Sequence, residues 1–184
     1  HHGFAPMAVD LPGHGGSGGE LLSTISEMAD WVAGLIRSLN FGPVRLVGHS
    51  MGSLIALEVA ARHSEATERL VLMGAAAAMP VHPELLDSAA NNVPHASRLM
   101  SSWSFGDRAH VGRHSTPGMW QIGGSQALLD TSRPDSLGVD MAACNIYDTS
   151  LSAAADVTCP VTYILGARDK MTPTKRAADL IAAT

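Results

Sequence analysis

The chain has 184 residues, 46% of them apolar, and a formal net charge of -5, with a pI near 5.9; this is ample for one buried core and below the usual size of two domains. No basic run is present, which excludes nucleic acid and an anionic membrane surface as partners, and no apolar run reaches the roughly 18 residues that span a bilayer. The two cysteines, Cys144 and Cys159, are too few and too close for a disulfide framework or a metal site, so both are expected reduced and buried in a cytoplasmic protein.

In chain order, His1-His2-Gly3 forms no signal peptide and starts without methionine, which reads as a tag remnant or an interior cut. Phe4 to Leu11, FAPMAVDL, reads as a buried strand, and the glycine-rich loop LPGHGGSGGE follows it. Thr24 and Glu27 make a capping-box pattern ahead of Ile25, Met28, Ala29, Val32, Leu35, Ile36 and Leu39, which share one face of a 3.6-residue period. Gly42 and Pro43 stop that helix. Val44 to Val47 is a second strand, Leu54 to Ala61 a second helix and Arg69 to Met73 a third strand. After Gly74 the alternation dissolves until Val161 to Leu165, a fourth strand, beyond which Thr172 and Pro173 open a last helix as N-cap and first helical residue. Such alternation predicts an α/β fold with a mostly parallel sheet covered by helices. The intervening segment, with Pro80, Pro83 and Pro94 early and Trp103, Phe105 and Trp120 later, reads as an insertion. The expected division is therefore a core of residues 1–74 and 158–184, with an inserted helical cap at 75–157.

The chemistry is carried by VRLVGHSMGSLIALEVAARH, residues 44 to 63. Gly48 and Gly52 stand two places either side of Ser50, between a strand and a helix, so the chain is expected to reverse sharply and put the serine at the tip. That geometry exposes Oγ and turns the Met51 N–H toward a developing oxyanion, with the helix N-terminus behind it. A bare Gly-x-Ser-x-Gly is weak evidence; the strand before it and the helix after it make this one a nucleophile elbow.

With that elbow, the chain resembles the α/β-hydrolase superfamily over nearly all of its length. VGHSMGS matches the family's elbow; DLPGHGGSGG, residues 10 to 19, is similar to its Asp-x-x-Gly-x-Gly-x-Ser loop, with Asp10 structural; and LGARDKMTP, residues 165 to 173, is similar to the segment that bears its acid. The resemblance implies that Asp169 is the acid, holding a histidine's tautomer and stabilising its imidazolium. It also implies that the four strands correspond to the family's fourth to seventh, that residues 75–157 are its cap, and that no metal or organic cofactor is needed.

In this family the histidine follows the acid, yet residues 170–184 contain none, and all nine histidines lie before residue 115. The residues themselves give each a simpler role: His49 as elbow scaffolding, His14 as a hydrogen-bonding loop residue, His63 at a helix end favoured by the dipole, and His82, His95, His110 and His114 within the cap. The family's strand three, which carries the other oxyanion donor, is also not found before Phe4. The expectation is an interior piece whose sheet has a gap, and which self-associates or is marginally stable.

Met100, Trp103, Phe105, Met119 and Trp120 either line an apolar acyl pocket or glue the cap to the body. Without an arginine pair or lysine motif, the expected substrate is a small, neutral, apolar ester. The resemblance leaves C–C bond hydrolases, amidases and perhydrolases open, because they share the machinery. A non-catalytic relic that binds a ligand or partner through the cap is the rival reading.

Overall fold

In the computed structural model, which describes residues 3–112 and 118–184, three parallel strands stand side by side in chain order. They are β1 (Val44–His49), β2 (Thr67–Met73) and β3 (Val161–Ile164). Helix α1 (Ile25–Leu39) precedes β1, and α2 (Met51–Arg62) crosses from β1 to β2. Between β2 and β3 lie α3 (Pro83–Asn91), α4 (Val93–Ser104), α5 (Asp107–His110), α6 (Gln121–Asp130), α7 (Ser136–Ile146) and α8 (Ser150–Asp156); α9 (Ala178–Ala183) follows β3. His1, His2 and His114 lie outside the described residues.

Helix α1 forms as its sequence dictates. The Thr24 side chain accepts from Glu27 N–H at 3.2 Å and Glu27 accepts from Thr24 N–H at 3.1 Å, so two orphan donors are satisfied reciprocally. Its apolar face, Ile25, Met28, Ala29, Ala33 and Ile36, is buried, and Asn40 ends it in the left-handed region at φ 51°. By contrast, α2 is buried almost all round from Ser53 to Ala60, because it lies between the sheet, α1 and α8. Its one buried charge, Glu58, accepts from Tyr147 Oη at 2.7 Å and Thr149 Oγ1 at 3.2 Å. The segment 75–157 is helical as expected, although its last helix, α8, packs into the core against α2 and α9.

Register divides the sheet into two unlike faces. Leu70 and Leu72, aligned with Leu46 and Gly48 of β1, are fully buried under the helices. On the other face Val47 and Ile164 are 61% and 51% exposed, with Val71 and Met73 between them only partly covered.

The expected buried strand at Phe4–Leu11 is a correction. These residues form no strand, and Phe4, Met7 and Val9 are exposed. Strand residues are held by pairing on an adjacent edge; the resemblance puts the family's third strand between these residues and β1, and among the described residues no strand occupies that place, β1 pairing with β2 alone. Only Leu11, at the segment's end, packs on the core.

Candidate active site

Ser50 occupies the turn between β1 and α2 at φ 53° and ψ -121°, a strained combination for a residue with a Cβ. Its N–H donates to Met73 O at 3.0 Å, and its carbonyl accepts from Ser53 N–H at 2.8 Å and Ser53 Oγ at 2.6 Å. The turn is thus tied to the sheet on one side and to the helix on the other. At Gly48 a Cβ would run into the Gly52 carbonyl and stand 2.8 Å from Ser53 Cα, so only glycine lets strand and helix approach this closely. Gly52 differs from expectation, since a Cβ there would meet nothing within 4 Å. Met51 opens α2, and the Ser50 side chain makes no capping hydrogen bond there; of the first-turn N–H groups, that of Ser53 is taken by the Ser50 carbonyl.

Beside Ser50 lies a cavity of about 420 Å³, lined from the segment between β2 and β3 and from the segment after β3. Met79, Pro80 and Val81 wall it after β2, Met100 and Trp103 come from α4, Met141 and Cys144 from α7, and Lys170, Met171, Thr172 and Arg176 from the segment after β3. Burial pushes the Cys144 thiol up to about 12, so it stays a protonated, weakly polar wall atom. Of the five cap residues singled out in the sequence, Met100 and Trp103 line this cavity, Phe105 lines a second one with Arg108 and Arg168, and Met119 and Trp120 are exposed.

Asp169 follows β3 in a turn closed by its own N–H on Gly166 O at 3.2 Å. Its Oδ1 accepts from Met171 N–H at 2.8 Å and Thr172 N–H at 2.9 Å, and its Oδ2 accepts from Thr172 Oγ1 at 2.8 Å. Three of its roughly four lone-pair positions are used; one remains on Oδ2. Thr172 in turn lies against the end of β2, where a Cβ on Gly74 would be 3.2 Å from its Oγ1. The expected cap at Thr172 is therefore corrected: its hydroxyl serves Asp169, Pro173 takes the N-cap position, and a 3₁₀ turn, Thr174–Ala177, precedes α9.

The described histidines are mostly engaged. His63 meets Asp30 at 2.7 Å, His95 meets Glu84 at 3.1 Å, and His110 Nε2 lies 3.3 Å from Phe105 O. His49 is exposed and lies beside Gly74. His82, read from the sequence only as a cap residue, lines the Ser50 cavity with its ring edge-on to Trp103 at 5.6 Å. Its Nδ1 accepts from Glu84 N–H at 3.3 Å, so that nitrogen is not free to act as a base.

His14 joins the glycine-rich loop to α7, with Nδ1 3.0 Å from Pro12 O and Nε2 3.0 Å from Asp140 Oδ2. The carbonyl only accepts, so Nδ1 holds one proton and a second lies between Nε2 and the carboxylate. Burial pushes the Asp140 carboxyl up, with the His14 charge pulling the other way. Its Oδ1 is buried with no partner among the described residues. Asp10, read as structural, accepts from Gly16 N–H at 2.9 Å and shapes the same loop. Among the described residues no three His, Cys, Asp or Glu side chains gather as a metal site, and no helix is long and apolar enough to cross a membrane.

The model of the alpha/beta hydrolase family matches residues 1–184. The chain belongs to the alpha/beta hydrolase family. It is 25% identical over 173 residues to the pimeloyl-[acyl-carrier protein] methyl ester esterase of Neisseria meningitidis, covering 90% of itself and 65% of that protein. Over 68 residues it is 37% identical to the (E)-2-((N-methylformamido)methylene)succinate hydrolase of Acinetobacter baylyi, covering 36% of itself and 26% of the relative. Among solved structures it resembles a thermophilic esterase with a TM-score of 0.74 and 26% identity, covering 95% of itself and 66% of that chain. The enol-lactonase of Burkholderia xenovorans gives a TM-score of 0.80 at 22% identity, with the same two coverages, and speaks for the fold alone. The chain spans about a quarter to two thirds of the length of these curated relatives.

Proposed function

We propose that this chain carries the nucleophile and acid of a serine hydrolase that cleaves carboxylic esters by acyl transfer. The observation that supports the reading best is Ser50 itself: a strained serine between the N-terminus of α2 and a mostly apolar cavity. Ser50 Oγ attacks the ester carbonyl, and Met51 N–H donates to the oxyanion as it forms. A histidine that follows Asp169 in the full-length protein takes the Ser50 proton and passes it to the leaving alcohol, while the remaining lone pair on Asp169 Oδ2 holds that histidine. Water then cleaves the acyl-enzyme by the same route in reverse, with no metal or organic cofactor. The cap residues Met100 and Trp103 contact the acyl group.

The test is labelling by a fluorophosphonate probe in the full-length protein that contains this segment. Ser50 should be labelled, Ser50→Ala should not be, and the variant should lose about 10⁴-fold or more of the esterase kcat. A second reading, a chain that binds a ligand without turning it over, is favoured by one observation: His82, which lines the Ser50 cavity, has its Nδ1 taken by Glu84 N–H. Absence of labelling in the full-length protein would select it.

A further inference from the structure

The Ser50 cavity is uneven in its polarity. Its walls are mostly apolar, with methionines and Trp103 prominent, and its ionisable cations are Lys170 and Arg176 on the segment after β3. No carboxylate lines it, although the chain has 17 Asp and Glu against 12 Lys and Arg. Four of those twelve cations, Arg168, Lys170, Lys175 and Arg176, fall within residues 168–176, where Asp169 is the only acid. That acid is turned into its own loop by three hydrogen bonds.

Arg176 has no ion-pair partner among the described residues. Its backbone is nevertheless fixed, because its carbonyl accepts from Ala77 N–H at 2.9 Å. Lys170 meets Asp107 at 3.7 Å, a pair whose side chains are 60% and 82% exposed and which holds it only weakly. A guanidinium left open beside an apolar cavity is suited to a carboxylate, which its fork of donors binds in two places at once.

We propose that the ester entering this cavity carries a free carboxylate at the end of its acyl chain remote from the scissile bond, and that Arg176 binds it with Lys170 alongside. The substrate class is then a monoester of a short dicarboxylic acid rather than a neutral ester. About 420 Å³ is near the lower end of ligand cavities, roughly 300–1,000 Å³, which favours a short chain. The proposal rests on the serine-hydrolase reading for its turnover step, but the carboxylate site is separable from it.

The experiment uses the full-length protein and a series of monomethyl and dimethyl esters from succinate to suberate. At the best chain length the monoester should be preferred in kcat/KM by about tenfold or more, the effect of one charge-assisted contact. Arg176→Gln should collapse that ratio, and Arg176→Lys should restore part of it. In parallel, binding of the same monoester to Ser50→Ala, read by calorimetry, should weaken about tenfold on adding Arg176→Gln. Equal or faster turnover of the diesters at every length, dependent on Ser50, would overturn the carboxylate site and leave the hydrolase reading standing. No turnover of any ester, but monoester binding that depends on Arg176, would do the reverse. Neither turnover nor binding would remove both.

Discussion

At Gly48 the nucleophile's turn depends on the absence of a single carbon. The Gly52 carbonyl that a Cβ would strike belongs to the first turn of α2, which is tied to Ser50 and cannot yield without breaking the elbow. Gly48→Ala is therefore expected to destabilise by about 2 kcal/mol or more. Gly52→Ala, on a helix with open space around it, should instead stabilise by about 0.5–1 kcal/mol. Urea midpoints at constant m value measure both, and equal shifts would refute the distinction. Ser50 and its glycines were legible in the sequence because their geometry is local. His82, Lys170 and Arg176 were not, because they meet only when α3, the cap and the segment after β3 converge on one cavity. The available signal was four cations in nine residues of an acidic chain.

Between elements, the His14–Asp140 contact clips the glycine-rich loop to α7. The folded state holds the Asp140 proton more tightly than the unfolded chain does, because burial raises that carboxyl. Its contribution is thus full below the ordinary carboxylate value near ~4 and is lost as pH rises through the raised value. His14→Ala removes the charge that opposes this shift, so it should cost about 2 kcal/mol near neutral pH and progressively less as Asp140 takes up its proton in acid. Denaturation series at several pH values read the effect; a cost that does not change with pH would show that the pair carries no charge coupling. Elements were legible where one residue's neighbours along the chain decide them, as in α1 with its capping box and single apolar face. They were misread where distant partners decide. Phe4–Leu11 has strand-like residues but no neighbouring strand among the described residues, and Thr172 has a cap-like position but a nearer acceptor in Asp169.

For the whole molecule, the sheet raises a question of covering. Parallel sheets are stable when both faces are packed, and here Val47 on β1 and Ile164 on β3 lie exposed on one face, while β1 pairs with β2 alone among the described residues. The 184-residue chain produced alone is expected to self-associate through that surface. Light scattering should give a mass that rises with concentration, and Val47→Lys combined with Ile164→Lys should lower it. A concentration-independent monomer with one cooperative unfolding transition would contradict the expectation. The order of the strands has a different consequence, one of timing. Residues 50–66 separate β1 from β2, whereas residues 74–160 separate β2 from β3. Closing the longer span costs more chain entropy and slows folding. On the ribosome the Ser50 turn emerges and can fold early, while Asp169 arrives only after residues 74–160 have been made. Under the proposed roles, the nascent chain carries Ser50 unarmed throughout that interval.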